Sequence, residues 1–157
     1  FGVDADTMES VVLDLMRSRG LTLGLAESVT GGLVSGRLTN VAGSSDVLRG
    51  SIVSYASEVK FGVLGVSPGP VVNEQVAVEM AVGARRVLGA DVGLALTGVA
   101  GPADQDGVKP GTLCVGLALP DGSTTSRTFH LPGVRDQMRQ LSVISALDYL
   151  RRAIAEK

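Results

Sequence analysis

The chain has 157 residues, 45% of them apolar and 19% charged, with a formal net charge of −2. That composition fits one globular domain with a real core and excludes a disordered chain. The slightly acidic balance, with 3% aromatic residues and no Trp, argues against a nucleic-acid binder working through a basic or base-stacking surface.

No apolar run reaches the ~18 residues that a membrane span requires. No basic region followed by an apolar core opens the chain, so the expectation is a cytoplasmic protein without membrane contact. A lone cysteine, Cys114, excludes an internal disulfide and a Cys-rich zinc site.

Taken in order, Asp6 or Thr7 can cap a first helix reaching about residue 19, with Met8, Val11, Val12, Leu15 and Met16 on one face and Gly20 as its stop. Residues 21–26 read as a strand and 31–40 as a helix. Residues 47–55 form a second strand, favoured by Ile52, Val53 and Tyr55, and 57–64 a short helix. Val66-Ser67-Pro68-Gly69-Pro70 is loop. Asn73 caps a long helix to Leu88, with Val76, Met80, Ala84 and Val87 expected inward. An apolar strand over 91–97 leads into a Gly/Pro/Asp loop over 98–111, long enough to suggest function. Strands over 112–119 and 123–131, joined by Pro120-Asp121-Gly122, make a hairpin. The last helix starts near Arg135, with Met138, Leu141, Ile144, Leu147 and Leu150 expected to form most of its apolar face. These elements predict a single α/β domain over 1–157: a three-layer α/β/α sandwich with a mixed, mostly parallel sheet and a C-terminal β-hairpin followed by a helix.

The chemistry concentrates at Ala26-Glu27-Ser28-Val29-Thr30-Gly31-Gly32, between the first strand and second helix. A helix start carries unpaired N–H groups and partial positive charge, and paired glycines admit a ligand close to the backbone. Thr30, Gly31 and Gly32 are therefore candidate ligand contacts, with Ser28 at the carboxyl end of a strand. The plain alternative is an N-cap, Ser28 or Thr30 satisfying the helix donors.

Other candidates are weaker. His130, the single histidine, alternates with Phe129 and Leu131 and should face solvent. Asp104-Gln105-Asp106-Gly107 resembles half a calcium loop, but no glutamate closes it, so a polar turn is expected. Arg135 and Arg139 lie one turn apart at a helix start, where cations oppose the dipole; they read as a phosphate site or as solvated side chains. A neutral lysine can activate a serine where no histidine serves, which draws attention to Lys60, although by itself Lys60 reads as a surface lysine.

Together, Ala26-Glu27-Ser28-Val29-Thr30-Gly31-Gly32, Gly43-Ser44-Ser45, Tyr55-x-x-Glu58-x-Lys60, Thr97-Gly98-Val99-Ala100-Gly101-Pro102, Gly111-Thr112 and Gly133-x-Arg135 resemble the CinA C-terminal family, in order and over nearly the whole chain. The resemblance implies a nicotinamide-nucleotide amidase, hydrolysing nicotinamide mononucleotide to nicotinate mononucleotide and ammonia without metal or cofactor. It implies Ser28 as nucleophile, Lys60 as base with Tyr55 beside it, and Ser45 at the oxyanion site. Thr97 and Gly98 would contact substrate, and Arg135 with Arg139 would hold the phosphate. It also implies a homodimer. Val29 stands where the family usually has Cys, Ala56-Ser57 where Ser-Asn usually follows the tyrosine, and the segment 67–72 is short. The opening Phe1-Gly2-Val3-Asp4 resembles the junction that follows an N-terminal domain in longer relatives, so residues 1–6 read as linker. Two other readings remain: a silent nucleotide-binding, dimerising regulatory domain, and a serine amidase for another small amide.

Overall fold

The structure is a computed structural model that describes residues 7–156; the expected linker over 1–6 lies outside them. Helix α1, Met8–Ser18, begins where Thr7 and Ser10 exchange side-chain-to-backbone hydrogen bonds, a capping box. Strand β1, Leu23–Glu27, leads to helix α2, Leu33–Thr39. A 3-10 turn at Ser44–Asp46 precedes β2, Leu48–Val53, which is followed by the short α3, Ser57–Gly62. Asn73 Oδ1 accepts from Val76 N at 2.8 Å to start α4, Glu74–Leu88, and Gly89 at φ +61° ends it. Strands β3, Val92–Gly98, β4, Thr112–Ala118, and β5, Thr124–His130, precede α5, Arg135–Ala155.

The strands lie in the order β2-β1-β3-β4-β5. β1 pairs in parallel with both β2 and β3, and β4 runs antiparallel to its two neighbours. Four strands thus point one way and β4 alone runs against them. The chain leaves β1 toward one edge and returns to its other side at β3. That reversal opens a crevice beyond the carboxyl ends of β1 and β3, the usual ligand position in open α/β sheets.

The two faces of the sheet differ in side-chain size. Leu23, Leu25, Leu94, Leu96, Leu113, Val115 and Leu117 face the cluster that includes Val12, Met16, Val34, Val143 and Leu147 of α1, α2 and α5. On the other face, register aligns Gly50, Gly24, Gly93 and Ala118 in one row across four strands. Helix α4 packs on that row so closely that a Cβ on Gly93 would strike the Ala81 carbonyl, and one on Gly116 the Ala77 carbonyl. Ala26, Ala95 and Cys114 complete the small-residue surface.

Two residues expected inward lie outside. Val76, Met80 and Ala84 of α4 are buried as expected, but Val87 is exposed, and Ala77 and Ala81 complete the face turned to the sheet. Leu141 is exposed as well; Ser142, Val143, Ala146 and Ile154 share the buried face of α5 with Met138, Leu147 and Leu150. His130 is exposed, as expected, and Cys114 is buried.

Candidate active site

A pocket of about 380 Å³ opens in the crevice beyond β1 and β3. Ser28, Tyr55, Lys60, Thr97, Gly98 and Arg135 all line it, six sequence candidates drawn from five separate segments. Val71, Val72 and Val99 add an apolar wall, and Asp104 and Gln105 hang from the 99–111 loop at its rim. Of those five, only Val99 stands in a motif of the resemblance, which gave it no role.

Glu27 and Ser28 leave the end of β1 toward opposite sides. Glu27 is fully buried, and its carboxylate accepts four hydrogen bonds: Thr30 Oγ1 at 2.8 Å, Val34 N at 2.8 Å, Ser35 N at 3.0 Å and Ser51 Oγ at 2.8 Å. Leu33 N, the first donor of α2, bonds to the Thr30 carbonyl at 3.0 Å, and Glu27 takes the next two. This corrects both sequence readings of the turn: those N–H groups go to the protein itself and not to a ligand, and neither the Ser28 nor the Thr30 side chain accepts them. Thr30 is buried with its hydroxyl on Glu27, and Thr30, Gly31 and Gly32 stay outside the pocket lining. The two glycines serve the turn, at φ +58° and +102°, conformations that side chains rarely adopt. A glutamate ending an apolar strand was the signal available in the sequence; only the fold reveals what it caps.

Lys60 is 1% exposed, not a surface lysine. Its Nζ donates to the Ser54 carbonyl at 2.7 Å, and no carboxylate pairs with it among the described residues. Burial without a counter-charge lowers its pKa below the ordinary lysine value. Ser54 is fixed in turn, since its N–H and hydroxyl both reach the carbonyl of Glu27, at 2.7 and 3.3 Å. The amine and the Ser28 hydroxyl share the pocket without a direct hydrogen bond. Catalytic contacts are often open in unliganded sites.

At the mouth, Arg135 Nη1 donates to Gly101 O at 2.8 Å and Nη2 to Tyr55 Oη at 3.0 Å, leaving further N–H groups for an anion. Tyr55 is largely exposed. Thr97 is buried and gives its hydroxyl proton to Val71 O at 2.7 Å, tying the 63–73 segment to the end of β3. Gly98 has no room for a side chain, since a Cβ would lie 2.6 Å from Thr112 O.

Besides Thr30, Gly31 and Gly32, two further assigned residues do not join this pocket. Ser45 is exposed in the turn before β2, beside the beginning of β1, whereas Ser28 follows the end of β1. A five-residue strand separates them by roughly 17 Å. Arg139 lies outside the lining too; its Nε and Nη2 donate to Val29 O at 3.0 Å and Thr30 O at 2.9 Å.

The fold and pocket define an α/β domain carrying a serine, a buried lysine and an arginine around one crevice at the carboxyl ends of parallel strands. The chain belongs to the CinA C-terminal domain family, whose model matches residues 5–154. A CinA-like protein of Frankia casuarinae is 51% identical over 99% of this chain, and one of Kosmotoga olearia is 40% identical over 98%. The chain spans only 37% and 39% of those two proteins. Among solved structures, a competence or damage-inducible protein from Enterobacter asburiae superposes with a TM-score of 0.89 at 30% identity, covering 95% of this chain and 99% of that one. The competence/damage inducible protein CihA from Agrobacterium tumefaciens gives 0.87 at 28% identity, with 99% of both chains covered.

Proposed function

We propose that this domain is a serine amidase that hydrolyses nicotinamide mononucleotide to nicotinate mononucleotide and ammonia. The observation that carries the reading is the buried Lys60 amine, without a carboxylate partner among the described residues, lining one pocket with Ser28, with Arg135 at the mouth. Family membership supports it.

In the proposed reaction the ring lies against Val71, Val72 and Val99 with its carboxamide at Ser28, while Arg135 holds the phosphate. Neutral Lys60 spends one N–H on Ser54 O, which orients its lone pair to accept a proton. Ser28 Oγ bonds to the amide carbon as its proton passes to Lys60. Backbone N–H groups after the nucleophile stabilise the resulting oxyanion. Lys60 returns the proton to the amide nitrogen, the C–N bond breaks and ammonia departs. Water then attacks the Ser28 ester, gives a proton to Lys60, and the acid leaves as Ser28 recovers its hydrogen. Phosphate binding remote from the reacting carbon supplies orientation. A homodimer and a cytoplasmic location belong to the same proposal; light scattering tests the first.

Ammonia release from nicotinamide mononucleotide tests the reading directly. Turnover by the wild type, with loss of about a thousandfold or more in Ser28→Ala, supports it. A folded wild type that binds the nucleotide and releases nothing rejects it. That result would favour the second reading, a silent nucleotide-binding regulatory domain. The observation on its side is that the Lys60 amine bonds to Ser54 O and not to Ser28.

A further inference from the structure

Arg139 is partly buried on α5, four residues beyond Arg135, and is not among the residues that line the pocket. Its two donors grip consecutive peptide carbonyls, Val29 O at 3.0 Å and Thr30 O at 2.9 Å. These are the two residues that follow Ser28. The contact is tight, because a Cβ on Gly31 would lie 3.3 Å from Arg139 Nη2. A trans peptide directs its C=O and the next N–H in opposite senses. Holding the Val29 and Thr30 carbonyls therefore also fixes where the Thr30 and Gly31 N–H groups point, and the Gly31 N–H closes back on Ser28 O at 3.0 Å. The helix that carries the guanidinium is anchored on both sides of it by Met138 and by Ser142 with Val143, all fully buried. A turn with two glycines at positive φ has little stiffness of its own. Glu27 holds the Thr30 hydroxyl, and the fork of Arg139 restrains the two carbonyls, through strengthened hydrogen bonds that a lysine could not reproduce in pairs.

We propose that Arg139 is a positioning residue for the nucleophile: by clamping the Val29 and Thr30 carbonyls it holds Ser28 and the amides after it in the reactive geometry, and it does not bind the substrate phosphate. The proposal rests on Ser28 being the nucleophile, as in the proposed function.

The test uses Arg139→Met and Arg139→Lys with two readouts. The first is kcat and KM for nicotinamide mononucleotide. The second is the rate at which a fluorophosphonate labels Ser28, a reaction that needs no nucleotide. Misplacing reacting groups by about 1 Å costs on the order of a hundredfold. Arg139→Met is expected to lower kcat about 30- to 100-fold with KM within about threefold, and to slow labelling in parallel. Arg139→Lys is expected to recover only part of both, and it decides the matter if the Met variant does not fold. A raised KM with unchanged kcat, or labelling at the wild-type rate, overturns the proposal. So does a wild type that the probe does not label at Ser28. Slowed labelling in a protein that never turns over the mononucleotide would sustain the clamp while rejecting the substrate assignment.

Discussion

Lys60 Nζ donates at 2.7 Å to the carbonyl of Ser54, whose own N–H and hydroxyl both donate to the carbonyl of Glu27, the residue before Ser28. Lys60 and the residue before Ser28 are thus connected through two short links, although Lys60 and Ser28 lie 32 positions apart in the chain.

Because burial lowers the folded-state pKa of Lys60 while the unfolded chain keeps about 10.4, the unfolded state binds more protons between those two values. Stability therefore rises with pH through that window, and below it the folded protein carries the full cost of the buried charge. Lys60→Met should abolish turnover yet raise the urea midpoint at neutral pH, with the advantage shrinking toward pH ~10. In the wild type, kcat/KM should climb with pH along a limb whose apparent pKa lies below the ordinary lysine value. A limb at the ordinary value would remove Lys60 as the base.

Glu27→Gln should destabilise the fold without touching the pocket surface. The amide nitrogen of Gln would face donors that now share a carboxylate, leaving part of the Thr30, Val34, Ser35 and Ser51 set unpaired. The expected loss is roughly 2–4 kcal/mol by urea denaturation. A change under half a kilocalorie, on the order of a neutral surface substitution, would mean the network is dispensable.

Arg135→Ala should raise KM for the mononucleotide about 10- to 100-fold, the worth of a hydrogen bond to a charged group, while sparing the dephosphorylated nucleoside. Equal effects on both substrates would show that Arg135 acts through Gly101 and Tyr55 rather than on phosphate.

Two glycine-to-alanine changes should have opposite signs. Gly93→Ala drives a methyl into the backbone of α4 at Ala81 and should cost about 3 kcal/mol or more. Gly36→Ala, in the exposed interior of α2 with open space around it, should stabilise by about 0.5–1 kcal/mol. Thermal unfolding of the pair checks both.

Much of the secondary structure was legible because it is written locally. Thr7 and Asn73 cap α1 and α4 as their types predict, and the Pro120-Asp121-Gly122 turn closes the β4–β5 hairpin. The family and the membership of Ser28, Tyr55, Lys60, Thr97, Gly98 and Arg135 in one site were readable from motif order. The exact limits of the buried faces of α4 and α5 were not: an apolar count places Val87 and Leu141 inward, whereas Ala77 and Ala81 of α4 meet the glycine row and Val143 and Ala146 of α5 meet the opposite face of the sheet. Ser45 sat in the right motif but at the other end of the strands.

Sequence alone determined which elements form and which residue types meet, since caps, turn glycines and hydrophobic period act over a few positions. Only the tertiary structure decided what each polar group does. It turned the anion-like turn into a socket for Glu27, made Lys60 a buried amine, and separated Arg135 at the pocket from Arg139 on the turn after Ser28. Those outcomes depend on burial and on partners far apart in the chain, which no local pattern encodes.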